Sequence, residues 1–194
     1  MLNQKVTEIV STEVKHRGWS TFLIATLRLP DGTVVTRAIE DHGNAVAVLP
    51  YDPVRRTAIL VQQMRAPALY AAKHAHFLEA VAGRIDEEED AERCARREAT
   101  EEAGLELRAL ERVARAWAMP GVSTEQMDLF LGEYSEADRV GAGGGVAHEH
   151  ENIEVIELPL SRLAAMADSG ELHDMKLLLL LLSLRLRRPA LFSA

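Results

Sequence analysis

A single cysteine, Cys94, stands in the 194 residues. An internal disulfide is thereby excluded, which suits a reducing compartment. Its place in a helical stretch favours a small buried residue over a nucleophile. Positive charge is also short: 22 Lys and Arg against 30 Asp and Glu leave a net charge of −8. Surfaces that bind polyanions lean on clustered basic residues, so a nucleic-acid partner is not expected. An anionic small molecule would need local help from metal ions or placed arginines. No apolar run approaches the ~20 residues that span a bilayer. The longest, Leu177 to Leu182 extended by Leu184 and Leu186, is bracketed by Lys176 and Arg185 and reads as a buried C-terminal helix. The opening Met1-Leu-Asn-Gln-Lys5 lacks the apolar core of a signal peptide. A cytoplasmic protein without a membrane anchor is therefore expected. Internal repeats and interdomain linkers are missing too, and an apolar fraction of 47% permits a sizeable core.

What is present concentrates between Gly83 and Leu105: a glycine-marked loop, an acidic turn, then a helix of about four turns. Glu98, Glu101 and Glu102 lie three and four residues apart and so crowd one helix face beside Arg97. Like charges at that spacing cost a few tenths of a kcal/mol per pair unless something offsets them. A hard divalent cation bound through oxygen would do so, and Mg²⁺ suits carboxylates together with substrate phosphates. Ala91, Ala95 and Ala99 fall on the opposite side, small enough for close packing on a sheet. Gly104 ends the helix. A solvated acidic helix would share this composition but gives no reason for the order.

Along the chain, Val6 to Val14 suggests an extended segment. Thr21 to Leu29 and Thr33 to Ile39 read as strands joined at Pro30-Asp31-Gly32. A second pair, Ala45 to Leu49 and Ala58 to Gln63, is expected to turn over Pro50-Tyr-Asp-Pro53. Phe77 to Val81 is a short strand feeding Gly83. Ala109 to Ala118 and Met127 to Tyr134 flank Met119-Pro-Gly121 through Glu125. The run Gly141-Ala-Gly-Gly-Gly145, followed by His148-Glu149-His150-Glu151, reads as a mobile loop with ligand-capable tips, hinged on Gly143, Gly144 and Gly145. Ile153 to Leu158 alternates as a half-buried strand should. Ser161 opens a helix ending before Gly170, and Asp174 opens the leucine-rich one.

The stretch from Gly83 to Leu105 resembles the Nudix box at every fixed position: G, five residues, E, seven residues, R-E, apolar, one residue, E-E, one residue, G, apolar. Outside it, Asp41-His-Gly43, Gln63-Met64-Arg65, Glu79-Ala-Val-Ala-Gly83, Met119-Pro-Gly121 with Glu125, and the glycine run leading to Glu149-His-Glu151-Asn-Ile-Glu-Val155 resemble the nucleoside-diphosphate-sugar branch of the Nudix hydrolases. That branch includes ADP-ribose and GDP-mannose pyrophosphatases. Met119 where relatives often have Ser, and Val122 where a second glycine is frequent, depart from the pattern and weaken substrate contacts carried over in that loop.

The resemblance implies an α/β (α+β) fold, an α/β/α sandwich around a mixed sheet, with an N-terminal β-rich arm. Residues 1–40 would be the arm, with a dimer contact, and residues 41–194 the catalytic domain. It implies Mg²⁺, with Mn²⁺ able to substitute, on Glu98 and Glu102, with Glu101 assisting and the Ala82 carbonyl as a further ligand. Arg97 would hold the carboxylates, with Glu89 behind it. Arg65 would meet the diphosphate, and Arg37, Trp19 and Glu125 would complete the substrate contacts. For a lone Trp, an anchor in a core or interface is the other reading. The general base would come from the late loop, Glu149 first and Glu151 second or as a metal ligand, with His148 and His150 as substitutes. The expected activity is hydrolysis of a nucleoside-diphosphate sugar to a nucleoside monophosphate and a sugar phosphate, by a homodimer. Alternatives are another nucleotide substrate (a dinucleotide or an oxidised nucleoside triphosphate), or a non-catalytic module that senses nucleotide sugars. The intact box argues against the sensor.

Overall fold

A computed structural model describes residues 6–73, 76–146 and 152–193, with Phe77 described by its backbone alone. In chain order the strands are β1 (Glu8–Arg17), β2 (Thr21–Arg28), β3 (Val34–Asp41), β4 (Ala45–Asp52), β5 (Thr57–Met64), β6 (His76–Glu79), β7 (Val81–Arg84), β8 (Leu110–Trp117), β9 (Gln126–Glu133) and β10 (Glu154–Pro159). The helices are α1 (Ala66–Ala72), α2 (Ala91–Ala103), α3 (Leu160–Ser169) and α4 (Met175–Arg187). No helix among the described residues is long and apolar enough to cross a membrane.

The chain divides into two compact units. One comprises Met1–Asn44 and Ala116–Met127, the other Ala45–Arg115 and Asp128–Ala194. In the first, β1, β2 and β3 form an antiparallel sheet. Between β2 and β3, Gly32 adopts φ +90° and donates its N–H to the Leu29 carbonyl at 2.9 Å, while Asp31 accepts from the Thr33 amide. Every residue of β1 is exposed. The segment 116–127 joins this unit, an association a single boundary near residue 40 does not anticipate. Its backbone is stitched to the end of β3: the Glu40 amide donates to the Val122 carbonyl, and the Thr124 amide to the Glu40 carbonyl.

The second unit is built on a sheet ordered β10-β5-β4-β9-β8, with β6 on β5 and β7 on β4. All eight residues of β4 are buried, as a strand covered on both faces requires. Val46 and Val48 share a core with Ile59, Val61, Val81 and the apolar side of α2, where Cys94, Ala95, Ala99 and Ala103 are buried. Small side chains let that helix sit close to the sheet, as the alanine spacing anticipates. Successive side chains alternate faces, so Ala47 and Leu49 point the other way, and α4 packs on β4 from that side. Leu177, Leu180, Leu181 and Leu184 are fully buried there, each burial contributing about 1.5–3 kcal/mol. The rest of the leucine run does not follow: Met175, Leu179, Leu182 and Leu186 form an exposed stripe. Helical periodicity allows only one side of such a run to reach the sheet.

Two local readings need correction, and helix α1 has no counterpart in the sequence reading. Pro50 and Tyr51 belong to β4, and the turn lies later. Asp52 Oδ1 accepts from the Val54 and Arg55 amides, and Arg56 takes φ +53°. The expected strand over 77–81 is two strands, broken at Ala80, whose N–H leaves the ladder for Asp174. Helix α1 had no periodic signal; Pro67 sits in its first turn and Lys73 closes it at φ +57°.

Candidate active site

Helix α2 carries the acidic cluster and is capped at both ends. Asp90 accepts the Arg93 amide at its N-terminus, and Gly104 takes φ +66° at its C-terminus. Arg97 organises the exposed side. Its Nη1 donates to Glu98 Oε1 at 2.7 Å and to Glu101 Oε2 at 2.9 Å, while Nη2 donates to Glu89 Oε2 at 3.0 Å and to the Arg84 carbonyl at 3.2 Å. Burial alone would lower the Arg97 pKa; Glu89, Glu98 and Glu101 outweigh it and hold the guanidinium above its ordinary range. Burial would raise Glu89, and the Arg97 guanidinium overrides that to hold its carboxyl below the usual range. Burial pushes the Cys94 thiol up to about 12, which removes it as a nucleophile.

Glu102 is 2% exposed and answers to other partners. It accepts the Ala82 backbone N–H at 3.0 Å and the Gln63 side-chain Nε2 at 3.5 Å, which ties the helix to β7 and β5. Glu98 leans onto the backbone of Gly83, where a Cβ would lie 1.8 Å from its Oε1. The glycine before the helix is thus required by close approach of a carboxylate.

The donor set is hard oxygen throughout, which fits a cation such as Mg²⁺. Gly83 keeps the space beside Glu98 clear for that carboxylate. Among the described residues the acids do not converge as a three-ligand cluster. Glu98 and Glu101 share Arg97, whereas Glu102 faces the β7 backbone. The residues suit the ion chemically, and Arg97 occupies the place between two of them.

The glycine run meets the C-terminal end of α2. Gly144 and Gly145 donate their amides to the carbonyls of Glu102 and Glu101 at 2.9 and 3.0 Å, and Val140 and Gly141 donate to Gly104. These are carbonyls that a helix end leaves without intrahelical partners. Gly143, Gly144 and Gly145 all have positive φ, and a Cβ on Gly143 would meet the Glu102 carbonyl at 2.3 Å. Gly144 and Gly145 therefore cap the C-terminal end of α2. Glu149, Glu151, His148 and His150 lie outside the described residues.

Arg65 makes a bidentate pair with Glu79, Nε to Oε1 at 2.7 Å and Nη2 to Oε2 at 2.9 Å. Burial would lower its pKa, and Glu79, then Glu102 and Asp174, raise it instead, which puts Arg65 in the field of Glu102 on α2. In the first unit, Arg37 is exposed and donates to the Thr36 carbonyl. Glu125 is taken up by His42, which also pairs with Glu40 at 2.8 Å. Partial burial would lower the His42 pKa, but the two carboxylates outweigh it and raise it. Trp19 stacks on that imidazole at 4.7 Å between ring centres and remains 73% exposed. Sequence reasoning missed the contacts of His42 with Glu40 and Glu125, of Gln63 with Glu102, and of Lys176 with Glu79. Asp41-His-Gly43 and Gln63-Met64-Arg65 stood out as motifs, but Lys176 stood only as the flank of an apolar run.

A strand that carries Gly83, a capped helix bearing Arg-organised glutamates, and an all-oxygen donor set stand together here, the donor chemistry that suits a hard divalent cation. The sequence matches the NUDIX domain over residues 41–177, and the chain belongs to the Nudix family. It is 40% identical over 160 residues to the GDP-mannose pyrophosphatase of Cronobacter sakazakii, covering 81% of this chain and 82% of that protein. It is 38% identical over 154 residues to the GDP-mannose pyrophosphatase of Escherichia coli O1:K1 / APEC, covering 78% and 79%. A crystal structure of an ADP compounds hydrolase superposes with a TM-score of 0.77 over 98% of both chains at 17% identity, a likeness of fold.

Proposed function

We propose that this Nudix pyrophosphohydrolase hydrolyses the diphosphate of a nucleoside-diphosphate sugar, of the GDP-mannose or ADP-ribose type, with Mg²⁺. The observation that carries the reading is the intact set of Gly83 on β7 and Arg97, Glu98, Glu101 and Glu102 on α2, joined by hydrogen bonds and by the close approach of Glu98 to Gly83. Its kinship with GDP-mannose pyrophosphatases favours a sugar nucleotide over other anhydrides. Glu98 and Glu102 would hold the cation, with Glu101 and the Ala82 carbonyl assisting. Bound there, it would neutralise diphosphate charge and acidify water.

The chain's own residues divide the remaining work. Arg97 fixes the carboxylates, and Glu89 fixes Arg97. Arg65 would meet a phosphate oxygen of the diphosphate. A water oxygen attacks phosphorus and the bridging P–O bond breaks, giving a nucleoside monophosphate and a sugar phosphate. Glu149 takes the water proton in this reading, with Glu151 second. Trp19 offers one open ring face to a planar group, Arg37 an exposed cation, and Glu125 acts by holding His42. A cytoplasmic homodimer is the proposed working form.

The test is a panel of nucleotide sugars, dinucleotides and oxidised nucleoside triphosphates. Phosphate released after added phosphatase is measured with and without Mg²⁺. Mg²⁺-dependent release from GDP-mannose or ADP-ribose above the rest is expected. Preferential release from another nucleotide class, or binding without turnover, would overturn the reading.

A further inference from the structure

Behind Arg65 lies a chain of charges that extends away from the box. Glu79, which grips Arg65 through both oxygens, is 2% exposed. A buried carboxylate needs its remaining lone pairs satisfied, and the side chain that does so comes from the other side of the sheet. Lys176 Nζ lies 3.3 Å from Glu79 Oε2 and 2.8 Å from Asp174 Oδ1. Asp174 is itself fixed three ways: Oδ2 accepts the Ala80 and Leu177 amides, and Oδ1 accepts the Lys176 amide as the N-cap of α4. The break between β6 and β7 at Ala80 exists where that amide turns to Asp174.

Two carboxylates and two cations thus alternate from α4 to Arg65. Arg65 is the most open of the four, its side chain 40% exposed against 22% for Lys176, 5% for Asp174 and 3% for Glu79. With Nε and Nη2 engaged by Glu79, Nη1 makes no hydrogen bond among the described residues. Removal of Lys176 would leave one excess negative charge where an anionic substrate approaches. It would also release the carboxylate that sets the plane of the guanidinium.

We propose that Lys176 is a positioning residue for substrate. With Asp174 it locks Glu79, and Glu79 in turn presents the free edge of Arg65 to a phosphate oxygen of the diphosphate. This rests on the reading of Arg65 and of a nucleotide-sugar substrate given above. A merely structural Lys176 would pin α4 to the sheet and lower stability without regard to Arg65. The two roles differ in how the residues couple.

Steady-state kinetics on GDP-mannose with wild type, Lys176→Met, Arg65→Met and the double variant separate them. Lys176→Met should raise KM about tenfold with kcat within about twofold, the pattern of lost ground-state binding. In the Arg65→Met background the same change should add less than about twofold, because its effect runs through Arg65. Lys176→Arg should return KM toward wild type. Wild-type KM in Lys176→Met, or an equal effect with Arg65 already removed, would overturn the proposal. If Lys176→Met does not fold, Glu79→Gln carries the test, with the same KM rise and the same loss of effect beside Arg65→Met expected; a wild-type KM there would overturn it. A wild-type enzyme inert toward every nucleotide sugar would instead overturn the substrate reading, and the inference with it.

Discussion

Replacing Gly83 by Ala separates what the site needs from what the fold needs. An added Cβ would stand 1.8 Å from Glu98 Oε1 and 2.0 Å from Cδ, with no other neighbour as near. Since nonbonded contacts settle at about 3.5–4.0 Å, the carboxylate must withdraw by roughly 1.5–2 Å. It is the far end of a flexible side chain, so the backbone can stay where it is. Arg97 is partly solvated and keeps Glu89 and Glu101 as partners, so loss of its bond to Glu98 costs about 1 kcal/mol. For a chain of this size that is a fall in Tm of about 2–4 °C. Function should suffer far more. A ligand displaced by over 1 Å can cost about 10²-fold in rate, which is about 2.7 kcal/mol of transition-state stabilisation. The assay is kcat/KM on GDP-mannose across an Mg²⁺ titration, with thermal melting on the same preparations. A loss of about 10²-fold and a rightward shift in Mg²⁺ dependence are expected with a near-native Tm. Activity within threefold of wild type at unchanged Mg²⁺ dependence would refute the view that Glu98 works from its place on Gly83.

Gly143→Ala should show the reverse order of effects, because its Cβ would strike the Glu102 carbonyl and φ is +68°. Backbone cannot yield as a side chain does, so about 2–3 kcal/mol of stability should go, seen as a Tm lower by roughly 5–10 °C. His42 has a raised pKa, so the stability it contributes is complete below its ordinary value of 6.5 and disappears as pH rises through the higher folded value. In a Trp117→Phe background, Trp19 emission should titrate with a midpoint above 6.5 that falls in Glu125→Gln; an unmoved midpoint would show that Glu125 does not sustain the imidazolium. Glu149→Gln should lower kcat by about 10²–10⁴ at little change in KM, and retention of more than about a tenth would move the base to Glu151. Ile9, Val10 and Val14 leave apolar side chains open on the fully exposed edge strand β1, and sedimentation at micromolar concentration should show a dimer; a single species at the monomer mass counts against it.

The box was legible because its determinants are local. Helical spacing puts Glu98 and Glu101 beside Arg97, whereas the turn of Glu102 to the β7 backbone is a tertiary contact. Asp90 and Gly104 mark the helix ends by backbone chemistry that any helix obeys. Asp174, Gly170 and the Pro30-Asp31-Gly32 turn were legible for the same reason. What only the tertiary structure decided was the set of partners far apart in sequence. Lys176 meets Glu79 across 97 positions, and Glu125 reaches His42 across 83. The glycines at 143–145 carry the same conformational freedom whether they hinge a loop or cap a helix. Their amides find the carbonyls of Glu101 and Glu102 only once the loop has been brought to the end of α2. Local spacing sets which side chains share a face, whereas the packing of distant elements sets what each face meets.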